Sequence, residues 1–167
     1  TSIYGYNEEN GDVYYQAAAL NPHDRQVFVS HKNGKVERLT DQEGWNSAIF
    51  SGDYQFFINT WSNYNTPYTF TLRSQKGKVL SVLLDNSKLK DKMTEYGWSK
   101  REPFTFTTSE GISLDGWMLK PNNFDPSHKY PVILFQYSGP GSQQVVDSWK
   151  AGSLGNGGAF DQYLVQQ

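Results

Sequence analysis

Apolar and polar residues alternate along the first half of the chain in two copies of one pattern. A Gly-Asp pair at residues 11–12 aligns with one at 52–53, and a Gly-Lys-Val triplet at 34–36 aligns with one at 77–79. The offset of about 41 to 43 residues is the period of a four-stranded propeller blade. The pattern therefore predicts two consecutive β-propeller blades.

Each copy predicts three strands in the same order. An apolar and aromatic strand follows the Gly-Asp turn, over residues 13–18 and 54–60, and a proline-bearing loop comes next. A second strand alternates in "RQVFVSHK" and "YTFTLRS", and a third follows the glycine turn. Two unrelated β-meanders are the alternative, because Gly-Asp and Asn-Gly turns are common in all-β proteins. A propeller closes with about four to eight blades, so we expect the chain to be a piece of a longer protein.

After the second copy the pattern changes to that of a helix. The stretch "DNSKLKDKMTEYG" places Leu89, Met93 and Tyr96 at helical spacing among charged residues. This spacing predicts a short amphipathic helix that ends at Gly97. We expect residues 86–99 to be a linker between two domains.

The last third of the chain predicts an α/β domain. "EPFTFTTSEGISLDGWMLKP" alternates as a hairpin with its turn near residues 109–111, and "YPVILFQY" is a continuous apolar run typical of a strand covered on both faces. In "AFDQYLVQQ", Phe160, Tyr163 and Leu164 can share one face of a helix. Strand, loop and helix in this order open a doubly wound unit.

The expected fold is therefore mixed, with all-β propeller blades followed by the first strands of an α/β domain. Residues 1–85 form the two blades, residues 86–99 the linker, and residues 100–167 the N-terminal part of the α/β domain. Aromatic residues make up 16% of the chain, which favours a β-rich protein.

Charge and composition exclude several classes of function. The formal net charge is -2, so the chain lacks the basic surface of a nucleic-acid-binding protein, and we expect no nucleic-acid partner. Without cysteine it has no disulfide, thiolate metal site or cysteine nucleophile. His23, His31 and His128 have no partner at metal-ligand spacing, so we expect surface histidines, no metal and no cofactor. No apolar stretch reaches the roughly 20 residues of a membrane helix.

Candidate catalytic chemistry lies in "KYPVILFQYSGPGSQQ", residues 129–144. Neither Ser142 nor Ser153 has the G-x-S-x-G spacing of a nucleophile elbow, and "GPGSQQ" departs from the nucleotide-binding G-x-G-x-x-G. Tyr137 ends the apolar run, where α/β-hydrolases supply part of an oxyanion hole, and a phenol keeps its proton at neutral pH. From position alone, a tyrosine that only packs its ring remains the alternative.

The segment "GWMLKPNNFDPSHKYPVILFQYSGPGSQQV", residues 116–145, resembles the prolyl oligopeptidase-type serine peptidases, and more narrowly their dipeptidyl peptidase IV branch. The shared features are a strand ending in Lys-Pro, a Phe-Asp-x-Ser-x-Lys-Tyr-Pro loop, an apolar strand and Tyr-x-Gly-Pro-x-Ser-Gln. The link "LLDNSKLKDKM" is similar to the one that joins the last blade to the hydrolase domain in that family. The resemblance covers essentially the whole chain and implies the last two propeller blades and the start of an α/β-hydrolase domain.

The resemblance implies an exopeptidase that releases N-terminal dipeptides, with proline or alanine second, through a Ser-Asp-His triad. Tyr137 matches the tyrosine that donates its hydroxyl to the tetrahedral intermediate, and Gln143 matches a substrate-binding position near the leaving group. The triad is expected after Gln167, and the glutamate pair that binds the substrate's amino group before residue 1, so the isolated chain is expected to be inactive. The pair at residues 8–9 matches nothing in the motif, and we expect it to be solvated.

Two alternatives remain from the residues. One is an acylaminoacyl or prolyl oligopeptidase on the same scaffold. The other is a non-catalytic β module that binds glycans or proteins through exposed aromatic residues such as Trp45, Trp61 and Trp98. For the peptidase, we expect peptide substrates and a homodimer, or self-association of the chain through open sheet edges. The resemblance implies a periplasmic, extracellular or membrane-anchored location, which the residues leave undecided.

Overall fold

A computed structural model describes residues 2–137, 139, 141–152 and 155–167 of the chain. The chain divides into two compact units. The first comprises Thr1–Lys88 and Val146–Trp149, and the second comprises Leu89–Val145 and Lys150–Gln167. The short segment Val146–Trp149 therefore belongs to the first unit, although the residues on either side of it belong to the second.

The first unit contains two four-stranded antiparallel sheets in which neighbouring strands follow chain order. The first blade consists of β1 (Ser2–Asn7), β2 (Asp12–Ala17), β3 (Gln26–Ser30) and β4 (Val36–Arg38). The second blade consists of β5 (Trp45–Phe50), β6 (Phe56–Asn63), β7 (Thr66–Ser74) and β8 (Val79–Leu84). The predicted pair of consecutive blades is confirmed.

The repeated sequence pattern did not predict the opening strand of each blade. The predicted strands correspond to β2–β4 and β6–β8, whereas β1 and β5 precede the Gly-Asp turn that marks each copy. Strand β1 has an irregular register between Ile3 and Gly5, which breaks its alternation, and β5 buries a polar residue, Asn46. Neither strand therefore has the regular alternation of apolar and polar residues that would predict it. The repeat is defined by its turns and not by the first strand of each blade.

An apolar core joins the two blades. Tyr14, Val27, Val29 and Leu39 from the first blade pack with Ala48 and Phe57 from the second. The ring of Tyr14 in the first blade lies 4.6 Å from that of Phe50 in the second, between centroids, and stacks on that of Tyr54 at 5.0 Å. Such ring pairs contribute about 0.5 to 1.5 kcal/mol each beyond their burial. Contacts between aromatic rings therefore contribute much of the packing energy between the two blades.

A buried polar network lies beside this core. The Asn46 side chain is fully buried, and its Nδ2 donates toward the Arg25 carbonyl (3.1 Å) and the Gln26 Oε1 (3.2 Å) of the first blade. Its Oδ1 accepts from Asn59 Nδ2 of the second blade at 3.2 Å. The Gln16 Nε2 of the first blade in turn donates to the Asn46 carbonyl at 2.6 Å. The polar groups that the blades bury are thus largely satisfied by each other.

The paired glycine turns explain the repeated Gly-Lys-Val triplet. Gly34 and Gly77 have φ of +85° and +81°, a left-handed conformation that favours glycine. A Cβ on Gly77 would also lie 2.3 Å from the Leu39 carbonyl oxygen, whereas one on Gly34 would meet open space. The second turn therefore requires glycine both for its backbone and for its close contact with the first blade.

The second unit contains one hairpin, and helices border it in sequence. The hairpin consists of β9 (Glu102–Thr107) and β10 (Ser113–Met118), whose connecting turn has Gly111 at φ +81°, and its prediction is confirmed. Helix α1 (Ser87–Glu95) lies in the predicted linker, and helix α2 (Ala159–Val165) lies near the end of the chain. The part of the chain that the structure describes contains no helix long and apolar enough to cross a membrane.

The strand predicted from "YPVILFQY" does not form. Residues 131–137 have no regular secondary structure, and Val132 and Leu134 are 85% and 84% exposed. A strand needs a neighbour that pairs with its N–H and C=O groups, and no described strand lies beside this run. The α/β part of the expected fold is therefore not confirmed, and the described sheets of the chain are all antiparallel.

The predicted apolar faces of both helices are largely exposed. In α1 only Met93 is buried. In α2, Phe160 and Tyr163 are 51% and 59% exposed, while Asp161 and Gln162 are buried. The predicted helix α2 therefore forms, but its buried side chains are two polar ones, which bind backbone groups of the second unit.

Replacement of Asn46 by alanine should lower the free energy of unfolding by about 2 to 4 kcal/mol, because several buried polar groups lose their partner at once. Urea denaturation followed by tryptophan fluorescence measures the change. Asn123, which is exposed, provides the matched control, and its replacement by alanine should change stability by less than about 0.5 kcal/mol. An equally small effect of Asn46→Ala would show that the network is dispensable.

Candidate functional site

Tyr137 lies at the end of the apolar run with its side chain 60% exposed. Its ring lies against the backbone of Gly139, where an added Cβ would come within 2.8 Å of the Tyr137 Oη. Glycine at 139 thus leaves room for the ring to lie close to the loop. A phenol can donate one hydrogen bond, and most of this side chain is exposed.

The loop after Tyr137 turns tightly between Gly139 and Ser142. The Ser142 N–H donates to the Gly139 carbonyl at 3.3 Å, and Gly141 has φ of +77°, which favours glycine. The predicted Gly-Pro-Gly turn falls partly on Pro140, which lies outside the described residues, as do Ser138 and the Ser153 of the rejected nucleophile motif.

Gln143 follows this turn and is exposed. Its Nε2 donates to the Val145 carbonyl at 2.9 Å, so part of the side-chain amide already binds its own loop. Gln143 and Tyr137 therefore lie on one short loop.

The segment Val146–Trp149 is part of the first unit, which the sequence did not predict. Val146 and Ser148 are buried at 7% and 6% exposure. The Asp147 carboxylate accepts the Tyr64 N–H, and the Trp149 N–H donates to the Ser62 Oγ at 3.1 Å. From the sequence, residues 146–149 were interpreted only as part of a glycine-rich segment. Four residues that bind mainly through their backbone leave no periodic pattern of apolar residues.

Asp161 holds the loop that precedes α2. Its carboxylate accepts the N–H groups of Gly155 (3.0 Å), Asn156 (2.9 Å) and Gly157 (2.6 Å), and its side chain is buried. Three backbone donors on one carboxylate fix the loop as a compact turn. Beside it, Gln162 binds both the N–H and the carbonyl of Ser99, at 2.7 and 2.9 Å.

The candidate aromatic binding platform is not exposed. Trp45, Trp61 and Trp98 are all partly buried. The Arg25 guanidinium covers the ring of Trp45 at 4.7 Å, and the Trp61 Nε1 donates to the Glu43 carbonyl at 2.7 Å. The alternative of an exposed aromatic binding face therefore has no support, since the Trp45 ring and the Trp61 indole N–H both have partners within the fold.

The three histidines and the acidic pair at residues 8–9 were expected on the surface. His128 is exposed, and its Nδ1 lies 2.9 Å from the Asp125 Oδ2. His31, in contrast, is partly buried and its Nδ1 lies 3.0 Å from the Asp12 Oδ1, so it is part of the fold. Residues 8–9 are exposed in the turn between β1 and β2, as expected. Among the described residues, no three His, Asp or Glu side chains are grouped as metal ligands.

Electrostatic effects on single carboxyls have local causes. The Ser127 N–H and hydroxyl, with a smaller effect of His128, hold the pKa of Asp125 below its usual value. Burial raises the pKa of Asp24, although the Gly44 N–H opposes the shift. The hydrogen bonds therefore favour the charged form of Asp125, whereas burial disfavours the charged form of Asp24.

Comparison with known proteins gives consistent results. Residues 1–68 match the family model of the dipeptidyl peptidase IV (DPP IV) N-terminal region. A probable dipeptidyl peptidase 4 of Aspergillus flavus is 29% identical over 154 residues, which cover 90% of this chain and 20% of that protein. The dipeptidyl peptidase 8 of Homo sapiens is 31% identical over 150 residues, which cover 83% of this chain and 16% of that protein.

A solved structure agrees over nearly the whole chain. The crystal structure of Porphyromonas gingivalis dipeptidyl peptidase 4 matches with a TM-score of 0.87 and 37% identity, covering 99% of this chain and 22% of that one. The chain thus spans about a fifth of the length of the relatives it matches.

Replacement of Asp161 by alanine should open the turn before α2. Three N–H groups lose their acceptor, so the amides of residues 155–157 should exchange with solvent at least tenfold faster in hydrogen-exchange mass spectrometry or NMR. Asp91, an exposed aspartate of α1, serves as the control for loss of a carboxylate. Unchanged exchange at residues 155–157 in Asp161→Ala would mean that other contacts hold the turn.

Proposed function

Because the chain is a dipeptidyl peptidase IV-like protein, we propose that it is part of a serine exopeptidase that releases N-terminal dipeptides from peptides. The proposed substrates carry proline or alanine at the second position and react through an acyl-enzyme. The observation that carries this proposal is Tyr137, an accessible phenol at the start of a tight glycine loop.

Tyr137 has the role of an oxyanion donor in this proposal. Attack of a serine on the scissile carbonyl places negative charge on its oxygen, and a donor about 2.7 to 3.1 Å from that oxygen stabilises the transition state. One such donor contributes about 3 to 4 kcal/mol to the rate. The support is geometric: the ring lies against Gly139, and Gly141 closes the loop beside it.

Gln143 has a weaker role as a substrate-binding residue near the leaving group. One hydrogen of its Nε2 binds the Val145 carbonyl, which holds the amide in place. Its position six residues after Tyr137, on the same loop, supports action on the same substrate.

The domain assignment is part of the same proposal. Residues 1–85 are the last two propeller blades, residues 86–99 the linker, and residues 100–167 the start of the hydrolase domain. The serine, aspartate and histidine of the triad, and the glutamates for the substrate amine, lie in other parts of the parent enzyme. No cofactor is needed for this chemistry, and the parent enzyme is proposed to act as a homodimer.

An acylaminoacyl or prolyl oligopeptidase on the same scaffold is distinguished by its substrate. A dipeptidyl peptidase requires a free amino terminus, so Gly-Pro-4-nitroanilide should be cleaved by the full-length parent protein and its N-acetylated form should not. Preferential cleavage of the blocked compound would assign the protein to the other branch.

Replacement of Tyr137 by phenylalanine in the full-length parent protein should lower kcat for Gly-Pro-4-nitroanilide by about 100- to 1000-fold, because the oxyanion loses one donor. Release of 4-nitroaniline measures the rate. Tyr163 is 59% exposed, close to the 60% of Tyr137, so Tyr163→Phe is the matched control and should retain full activity. A change in kcat of less than about threefold would leave Tyr137 with only a packing role.

The isolated 167-residue chain should show no turnover of the same substrate, because the proposed nucleophile and base belong to other parts of the parent enzyme. The assay is made at enzyme concentrations at which the full-length protein reaches completion, and circular dichroism shows that the chain is folded. Release of 4-nitroaniline that scales with the concentration of the purified chain would contradict this proposal.

A further inference from the structure

A cleft lies within the second unit, between the segment that follows α1 and the segment that follows β10. Trp98, Lys100 and Glu102 line it from the first segment, and residues 120–122 and Phe124 line it from the second. All of these residues belong to the second unit, and the structure describes each of them. The volume of the cleft is about 390 Å³, near the lower end of the range of small-molecule sites.

The two segments that form the cleft are bonded to each other. The Asn122 Nδ2 donates to the Gly97 carbonyl at 2.6 Å, and its Oδ1 accepts the Ser99 hydroxyl at 3.2 Å. The Lys120 Nζ lies 2.6 Å from the Glu102 Oε2. The cleft is therefore formed before a ligand enters, which lowers the cost of ordering it on binding.

The first segment directs alternate residues toward the cleft. Trp98, Lys100 and Glu102 line it, whereas Ser99 and Arg101 between them are buried at 2% and 4% exposure. Residues two positions apart in an extended segment lie on the same side. The Trp98 indole and the Lys100 ammonium are therefore on the side that a ligand would contact.

Both of these side chains have donors that no described residue uses. Lys120 is paired with Glu102, but Lys100 has no ion-pair partner among the described residues. Within the same part of the chain, the Trp98 indole N–H has no hydrogen-bond acceptor. With two lysines and one glutamate, the lining carries an excess of one positive charge. The cleft is therefore complementary to an anion.

The second segment gives the cleft an apolar surface. The Phe124 N–H donates to the Pro121 carbonyl at 3.0 Å, which closes a turn that carries both rings. The Phe124 ring stacks on that of Tyr130 at a centroid distance of 5.0 Å, and Phe124 remains 39% exposed. A fixed ring with an exposed part is a suitable surface for an apolar group of a ligand.

We propose that this cleft binds a small organic acid that carries an apolar or aromatic group. The carboxylate of the acid binds the Lys100 ammonium and the Trp98 indole N–H, and the apolar group packs on Pro121 and Phe124. An N-acylated amino acid with an apolar side chain has this chemistry. The site does not rest on the proposed function, because it follows from side chains of the second unit alone.

The test uses the full-length parent protein labelled with 15N-tryptophan, in which the indole signal of Trp98 is identified by its loss in Trp98→Phe. The probe is N-acetyl-phenylalanine at pH 7, where its carboxylate is ionised. Titration should move the Trp98 signal in a saturable way. N-acetyl-phenylalaninamide keeps the ring without the charge and should bind at least about fivefold more weakly. Equal affinity for the acid and the amide would overturn the proposal.

Replacement of Lys100 by glutamine should weaken the binding of N-acetyl-phenylalanine about fivefold, because the side chain loses its charge and keeps a polar end. Lys76→Gln removes an exposed lysine of the first unit and is the matched control, which should leave the affinity unchanged. An unchanged affinity in Lys100→Gln would overturn the site.

A carboxylate of this chemistry can belong to a free acid or to the C-terminus of a peptide. Acetyl-Gly-Gly-Phe presents the same ring and carboxylate on a longer chain. Similar affinities of the peptide and the free acid would support a site that binds only the terminal residue. Binding of the peptide more than about tenfold tighter would overturn the assignment to a small acid.

The indole signal keeps this site distinct from the proposed function, because its measurement needs no turnover. A parent protein without dipeptidyl peptidase activity would overturn the function, and a saturable shift of the Trp98 signal would still support the cleft. Inhibition of Gly-Pro-4-nitroanilide cleavage by N-acetyl-phenylalanine without any shift of the Trp98 signal would overturn the cleft and leave the function standing.

Discussion

The register of the two blades against each other depends on one buried polar residue, Asn46. Its side chain reaches the first blade through Arg25 and Gln26 and the second blade through Asn59. A buried amide of this kind costs several kcal/mol if it loses its partners, so the blades have one favourable register. The surrounding aromatic core is less specific, because stacked rings tolerate small shifts that hydrogen bonds do not.

This register has a consequence at the ends of the blades. It places the loop between β2 and β3 beside the turn between β6 and β7, and Asp147 binds both.

Local patterns predicted the elements whose residues interact mainly with neighbours in sequence. The two blades followed from their repeated turns, where Gly34 and Gly77 adopt left-handed backbone, and the β9–β10 hairpin and both helices followed from spacing. Strands β1 and β5 were missed because their pattern is irregular. The strand predicted at residues 130–137 was wrong, since an apolar run specifies burial but cannot supply a pairing strand.

The sequence by itself determined the blade repeat, the hairpin, the absence of cysteine chemistry and the identity of the one phenol with a proposed catalytic role, Tyr137. Only the tertiary structure decided which polar residues are buried or half-buried, because Asp161, Gln162 and Asp147 have partners that are distant in sequence or lie in the backbone. It also decided that Trp45, Trp61 and Trp98 are partly buried. Hydrogen bonds between residues up to about 90 positions apart leave no periodic signal in a sequence, whereas turns and amphipathic spacing do.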